Sequence, residues 1–158
     1  MSVTAKQHAL CESLEVVPDR QERLSIIVER GRRGVPLAPE RRIPGNRVPG
    51  CVSPVWLIAD CTDDRLFFRA HAEAPVVNGL VRLLCEIYDG ATANEVLQNE
   101  PTLLEALDLM RDLSPTRRNG LLAVRRRMCE LALKHSGREG GGGSSPGVHL
   151  PVAPEGEM

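Results

Sequence analysis

Aromatic side chains are scarce in this chain of 158 residues, since Phe, Tyr and Trp together make up 3%. Any hydrophobic core must therefore be built from Leu, Val, Ile and Ala. No apolar run approaches the roughly 20 residues of a membrane-spanning helix, and the first ten residues lack the pattern of a secretory signal. The net charge of −1 gives no overall field for nucleic acid or membrane binding. We therefore expect one cytoplasmic domain with neither kind of partner.

The patterns of a metal or cofactor site are also missing. The chain has no CxxC motif and no Cys/His cluster, so no structural zinc site is expected. It has no Gly-rich phosphate cradle, and its only lysines are Lys6 and Lys134, so we expect it to need no cofactor. The cysteines are Cys11, Cys51, Cys61, Cys85 and Cys129. We expect Cys85 and Cys129, on apolar helical stretches, to be buried hydrophobes.

Hydrophobic periodicity predicts an α+β fold with a small antiparallel sheet packed by helices. We expect helices over 5–14, 19–33, 75–90, 101–112 and 114–136, a short helix after the Thr92 capping box, and strands over 52–60 and 65–70. The proline-rich segment 35–50 should be an ordered loop. Residues 1–136 form the predicted domain. Residues 137–158 are rich in Gly, Ser and Pro and are expected to be a disordered tail.

The most informative residue is Cys51, because of the segment that carries it. This segment runs Asn46-Arg47-Val48-Pro49-Gly50-Cys51-Val52-Ser53-Pro54-Val55-Trp56-Leu57. Pro-Gly followed by an apolar, β-rich run places the thiol at the tip of a loop that enters a strand. From there the sulfur can be presented to a partner or withdrawn against apolar cover, which we expect Val52, Val55 and Trp56 to provide. The apolar surroundings disfavour the thiolate.

A second segment indicates a helix N-terminus that carries cations. It runs Leu113-Ser114-Pro115-Thr116-Arg117-Arg118-Asn119-Gly120-Leu121, with Ser114 as the N-cap. Backbone N–H groups and the helix dipole favour an anion here, and the guanidinium of Arg117 adds to this. A solvated surface arginine is the competing interpretation of Arg117.

Both segments together resemble the SufE family of sulfur-acceptor proteins, whose members read roughly "V-x-G-C-x-S-x-V-W" and later "L-[ST]-x-x-R-x-x-G-L". The resemblance extends through most of residues 10–136. It implies an α+β fold related to the iron–sulfur scaffold family, with Cys51 as the persulfide acceptor. It further implies a SufS-type cysteine desulfurase as sulfur donor, a SufBCD-type scaffold as recipient, and no enzyme activity of its own. Pyridoxal phosphate is expected only in the desulfurase.

The resemblance also points to supporting residues around the acceptor. Arg117 matches the family's arginine near the active loop. The family's acidic motif is altered here to His71 and Glu73, and Glu73 is expected to cap the following helix rather than to contact a partner. Asn46 matches a family asparagine, although turn formation explains it equally well. Arg47 is close enough in sequence to stabilise a thiolate, although the family does not demand a cation at that position.

Two other functions compete with sulfur transfer. A Cys/His hydrolase needs an activating imidazole, and only His71 lies in the predicted core region. A non-catalytic interaction module without sulfur transfer would tolerate loss of the Cys51 thiol, and it would leave the Cys51 loop without an evident purpose.

Overall fold

The structure of the chain is a computed structural model that describes residues 1–137. Within this range the helices are α1 (Val3–Glu15), α2 (Arg20–Arg33), α3 (Pro75–Tyr88), α4 (Ala93–Gln98), α5 (Leu103–Ala106) and α6 (Pro115–Ser136). The strands are β1 (Val55–Thr62) and β2 (Arg65–Ala72), and short 3₁₀ turns lie at Pro39–Arg41 and Pro44–Asn46. The predicted α+β class is confirmed. The predicted tail, apart from Gly137, lies outside the described residues.

Side-chain caps fix where most of the longer helices begin. Ser2 accepts from the Ala5 N–H at the start of α1, and Asp19 accepts from the Gln21 N–H at the start of α2. The capping box predicted at Thr92 is present, since Thr92 and Glu95 exchange side-chain to backbone hydrogen bonds. Ser114 caps α6, with Pro115 in its first turn. The α6 segment therefore begins where its sequence predicts.

The hairpin is tighter than the sequence pattern indicates. β1 and β2 pair antiparallel from Val55 opposite Ala72 to Thr62 opposite Arg65, so only Asp63 and Asp64 form the turn. Both have positive φ, 52° and 64°, which is the geometry of a type I′ turn. Aspartate tolerates this left-handed region better than most residues do.

The core lies between one face of the hairpin and the helices that pack against it. The buried positions of β2 alternate, and α3 packs against that strand. Phe68 and Tyr88, which are fully buried, meet edge to face with ring centroids 6.5 Å apart. The remainder of the core is mainly Leu, Val, Ile and Ala, as predicted. α6 packs on β1, α3 and α4, so its N-terminal half lies beside the segment that enters β1.

Two local predictions are wrong. The first strand begins at Val55 rather than at residue 52, because Pro54 cannot donate to the ladder. The helix expected over 101–112 shrinks to Leu103–Ala106, because Asp108 takes a left-handed φ of 55° and the chain turns. Gly31 lies inside α2, within the predicted span 19–33, and packs on Gly79 of α3.

In residues 1–137 no helix combines the length and the apolar character that crossing a membrane requires.

Candidate functional site

The loop that carries Cys51 is pinned at its base. The Val48 N–H donates to the Val55 carbonyl at 2.8 Å, and Arg47 forms an antiparallel bridge with Trp56. Val48 and Val55 are both buried, which anchors the two ends of the loop in the core. Gly50 has a φ of +86°, a conformation that L side chains rarely adopt. The loop therefore has fixed ends and a sharp turn directly before the cysteine.

Cys51 rests on the N-terminal part of α6. Its thiol donates to the carbonyl oxygen of Gly120, with 3.5 Å between Sγ and O. A Cβ on Gly120 would lie 3.8 Å from that sulfur, and one on Gly50 would lie 3.7 Å from the Cβ of Ala123. Gly120 and Ala123 are one turn apart on the same side of α6. Together they form a small-residue seat for the loop, which we call the thiol seat.

Burial in this seat raises the pKa of the Cys51 thiol, and the positive charge of Arg47 partly opposes that increase. Desolvation disfavours the thiolate, whereas a nearby cation favours it. The resting thiol is therefore mostly neutral near pH 7 and weakly nucleophilic. A change that brings Cys51 into water while Arg47 stays near would increase the thiolate fraction.

Of the residues expected to cover Cys51, Val52 does not do so. Val52 is 79% exposed and covers nothing. Trp56 stacks on His71, with ring centroids 6.1 Å apart and an interplanar angle of 28°. Helix α6 lies directly against the sulfur through Gly120. Sequence reasoning missed Ala123, and the only available signal was its position three residues after the motif glycine Gly120.

The two arginines in the first turn of α6, Arg117 and Arg118, have different environments. The Arg117 N–H donates to the hydroxyl of the Ser114 cap at 3.3 Å, whereas the Arg117 side chain is exposed and forms no ion pair within residues 1–137. Arg118 donates to the Arg111 carbonyl at 2.9 Å. Arg47, and not Arg117, is the cation whose charge acts on the Cys51 thiol. Arg47 is thus near enough for its charge to act on the Cys51 thiol, whereas the Arg117 side chain is exposed on the surface.

Asn46 lies in the 3₁₀ turn that precedes the loop. Its amide Nδ2 donates to the Arg41 carbonyl at 2.8 Å, and Arg41 forms a bidentate ion pair with Asp60 of β1. This hydrogen bond explains Asn46 as a turn-forming residue that ties the proline-rich segment together. Asn46 therefore supports the position of the loop through the turn that precedes it.

The expectation that Glu73 caps α3 is wrong. The N-cap of α3 is Ala74, and no side chain caps that helix. The nearby Asn78 side chain accepts instead from the Ala72 N–H at 3.1 Å. The Glu73 side chain is exposed, but its backbone N–H donates to the Pro54 carbonyl at 3.2 Å. That bond joins the end of β2 to the segment just after Cys51.

Cys11, Cys61, Cys85 and Cys129 carry the other thiols, and in Cys11, Cys85 and Cys129 burial disfavours the thiolate more strongly than any neighbouring group favours it. Cys85 and Cys129 are buried, and burial raises the pKa of Cys85 to about 12. Cys11 is half-buried, and burial raises the pKa of its thiol as well. Cys61 is exposed at the far end of β1. Residues 1–137 contain no cluster of His, Cys, Asp or Glu side chains that could hold a metal ion.

The fold and the site define a small α+β protein with a half-buried thiol on a pinned loop. The SufE family model, described as "Fe-S metabolism associated domain", matches residues 8–132. The chain belongs to this family.

Similar proteins agree with that assignment. A SufE-like protein of Synechocystis is 33% identical over 115 residues, which are 73% of this chain and 72% of the relative. A SufE-like protein of Rhizobium etli is 32% identical over 119 residues, 72% of this chain and 80% of the relative. Arabidopsis SufE-like protein 1, chloroplastic/mitochondrial, is 34% identical over 104 residues, but the match covers 65% of this chain and only 28% of that longer protein.

A solved structure shows the same fold. The solution structure of a hypothetical protein from Thermus thermophilus superimposes with a TM-score of 0.65 and covers 84% of this chain and 96% of its own. Its sequence is 23% identical.

Proposed function

We propose that this protein is a sulfur acceptor that takes persulfide sulfur from a SufS-type cysteine desulfurase onto Cys51. In this proposal it stimulates the desulfurase and passes the sulfur to a SufBCD-type scaffold for iron–sulfur cluster assembly. The observation that carries the proposal is the Cys51 thiol held on the carbonyl of Gly120 by a pinned loop, in a chain of the SufE family. The proposed location is the cytoplasm, where thiols are kept reduced.

The proposed step is a thiol–persulfide exchange that needs no oxidant. The Cys51 thiolate attacks the outer sulfur of the partner's cysteine persulfide, and a new sulfur–sulfur bond forms on Cys51. The sulfur–sulfur bond in the partner breaks, and its inner sulfur leaves as a thiolate that takes up a proton. One sulfur atom moves to Cys51, and the total oxidation state is unchanged. This chain supplies the thiol and its positioning, and no bound cofactor is required on its side.

In this proposal the loop opens before the reaction. Seated against Gly120, the Cys51 thiol is mostly neutral and faces α6 rather than solvent. Docking of the desulfurase would separate the loop from the thiol seat, expose the sulfur and leave it near Arg47. The anchored residues Val48 and Val55 would stay in place, and the Gly50 turn would absorb the movement.

Replacement of Cys51 tests the acceptor role. In Cys51→Ser the hydroxyl fits the seat but cannot form a persulfide, so we expect complete loss of sulfur acceptance with the melting temperature retained. The measurement is mass spectrometry after incubation with cysteine and a desulfurase, looking for one added sulfur atom on the Cys51 peptide. Cys61→Ser, which alters an exposed thiol, is the matched control and should accept sulfur normally.

The result also separates the competing functions. Sulfur retained on Cys61 or Cys11 in Cys51→Ser would move the acceptor elsewhere. Full stimulation of the desulfurase by Cys51→Ser would instead favour an interaction module without sulfur transfer. The Cys/His hydrolase alternative finds no support in the contacts of Cys51, because its hydrogen-bond partner is a backbone carbonyl.

Opening of the Cys51 loop on docking can be tested separately. Alkylation of Cys51 by a bulky reagent should be slow in the free protein and faster when an inactive desulfurase with its active cysteine replaced is present. The readout is the rate of modification of the Cys51 peptide, with the Cys61 peptide as an internal reference. Equal rates for Cys51 with and without the partner would show that the thiol is already presented.

A further inference from the structure

A cleft opens between α2, α3 and the outer edge of β2. Its volume is about 390 Å³, within the roughly 300–1,000 Å³ of small-molecule pockets. Its floor is apolar and buried and comes from all three elements, with Ile27 of α2, Phe68 and Ala70 of β2, and Leu83 of α3. Among the described residues, none of the Cys51 loop and none of α6 lines it. The cleft is therefore separate from the thiol seat.

Arginines from the same three elements surround this floor. They are Arg30 and Arg33 of α2, Arg69 of β2 and Arg82 of α3. Two carboxylates also line the cleft, and each is paired, Glu86 with Arg30 and Asp89 with Arg69. Four positive and two negative side chains leave a surplus of two positive charges around one cavity.

Arg33 and Arg82 carry that surplus. Arg33 is exposed and reaches Glu29 of its own helix at 3.5 Å, in a pair that solvent weakens. Arg82 has no carboxylate partner within residues 1–137, and its Nη1 donates to the carbonyl oxygens of Gly31 and Gly34. These two hydrogen bonds hold the Arg82 guanidinium at the cleft, against the C-terminal end of α2.

One edge of the Arg82 guanidinium is left without acceptors. Nε is buried and has no hydrogen-bond partner, and Nη2 donates to no group within residues 1–137. These two nitrogens form the fork that binds a carboxylate or a phosphate through two parallel N–H bonds. Because a buried donor without an acceptor is unfavourable, an oxyanion in the cleft would satisfy a group that the fold leaves unsatisfied.

The outer edge of β2 adds backbone donors beside the same cleft. In an antiparallel ladder alternate residues turn their N–H groups away from the paired strand. Leu66 does so, since its N–H donates to the Ala91 carbonyl at 2.8 Å. The alternation gives Phe68 and Ala70, which both line the cleft, the same orientation. Sheet edges with N–H groups of this kind are suited to binding anions.

We propose that this cleft binds a small molecule that carries a phosphate monoester on an apolar body. With a second pKa of about 6, such a group is dianionic at neutral pH and above, which matches the surplus of two charges. The apolar body would cover the floor formed by Ile27, Phe68 and Leu83. A single carboxylate would leave one positive charge uncompensated. Inorganic phosphate would leave the apolar floor in contact with water.

An amide NMR titration of the full chain with phenyl phosphate at pH 7.5 tests this site. The Gly34 and Ala70 resonances should shift, with a dissociation constant below about 1 mM. Inorganic phosphate and phenol should each bind at least about ten-fold more weakly, because each offers only half of the complementary chemistry. Equal affinity for inorganic phosphate would reveal an adventitious ion only and overturn the proposal. So would the absence of shifts at Gly34 and Ala70.

Arg82→Lys tests the guanidinium fork while it keeps the charge. Lysine cannot offer two parallel N–H bonds, so the affinity for phenyl phosphate should fall by about ten-fold. The control Arg32→Lys makes the same change at an exposed position of α2 that does not line the cleft, and it should alter the affinity less than about two-fold. Equal affinities of the two variants would contradict the assigned role of Arg82.

Gly34→Val tests the cavity without a change of charge. A Cβ on Gly34 would lie 3.7 Å from the Gly31 carbonyl oxygen and 3.8 Å from Arg82 Nη1, and its φ of −68° suits any residue. The branched side chain should obstruct the cleft and weaken binding by about ten-fold. Gly45→Val is the control, because a Cβ at Gly45 meets no atom within 4 Å.

Melting curves without ligand establish that each variant is folded before its affinity is compared. Unchanged affinity in a folded Gly34→Val would place phenyl phosphate outside the cleft and overturn the proposal. Cys51→Ser should bind phenyl phosphate like the parent protein, because the cleft shares no lining residue with the Cys51 loop. Failure of the phosphate site and failure of sulfur acceptance are therefore independent results.

Discussion

At the scale of single residues, two opposing effects set the state of Cys51. Burial on α6 raises the pKa of the thiol, and the charge of Arg47 lowers it. Burial is the larger effect, so the resting protein keeps a protonated sulfur. This favours protection of the thiol over speed of attack, because oxidation and exchange both proceed through the thiolate.

Removing the Arg47 charge should therefore make Cys51 less reactive. In Arg47→Gln the cation that favours the thiolate is gone, so the pKa of the thiol rises further and its alkylation near pH 7.5 slows by about two- to five-fold. The rate should increase with pH in both proteins, with the midpoint at higher pH in the variant. The measurement is the pH profile of peptide-resolved alkylation. Arg117→Gln is the control, and an equal slowing there would refute the assignment of this effect to Arg47.

At the scale of secondary-structure elements, close contact between two glycines fixes the crossing of α2 and α3. A Cβ on Gly31 would lie 2.9 Å from the Gly79 Cα, and one on Gly79 would lie 2.9 Å from the Val28 Cα. The opposing atoms are backbone, so they cannot yield as a flexible side chain can. The ion pair of Arg30 with Glu86 joins the same two helices.

Gly79→Ala should consequently lower the free energy of unfolding by about 1–3 kcal/mol, since the added methyl forces the helices apart. Chemical denaturation monitored by circular dichroism would measure this effect. Gly45→Ala is the matched control, because a Cβ at Gly45 meets no atom within 4 Å. An unchanged unfolding midpoint in Gly79→Ala would mean that α2 can move away from α3 at little cost. Sulfur acceptance should persist in both variants below the melting temperature.

A buried amide fixes a second junction between elements. Gln7 of α1 donates to the Glu100 carbonyl at 2.9 Å and accepts from the Leu103 N–H at 3.0 Å. It thereby satisfies a backbone donor at the start of α5. Nothing in the sequence around Gln7 indicates this role, because the partner residues lie more than ninety positions away.

At the scale of the whole molecule, the composition of the C-terminal segment predicts that the domain is stable and active without it. Residues 138–158 contain few large apolar side chains. Deleting residues 137–158 should leave both the melting temperature and the stimulation of a desulfurase unchanged. A calorimetric scan and a desulfurase assay of the shortened chain check this. A fall of several degrees in melting temperature would show that the segment docks on the domain.

The amino-acid sequence by itself determined the fold class, the longer helices and the identity of the thiol. Helix caps such as Ser114 and the alternating residues of β2 act over a few positions, so local chemistry is enough to predict them. The motif around Cys51 was informative for the same reason, because Pro-Gly before a β-rich run constrains the backbone directly.

Only the tertiary structure decided what surrounds that thiol. Cys51 and Gly120 are 69 positions apart, and packing of α6 on β1 brings them together. The sequence pattern assigned the cover to neighbours such as Val52, yet that side chain points into solvent. It also gave no ranking of Arg47 over Arg117 as the cation near the sulfur. Burial and electrostatic fields depend on distances through space, which residues far apart in the chain set jointly.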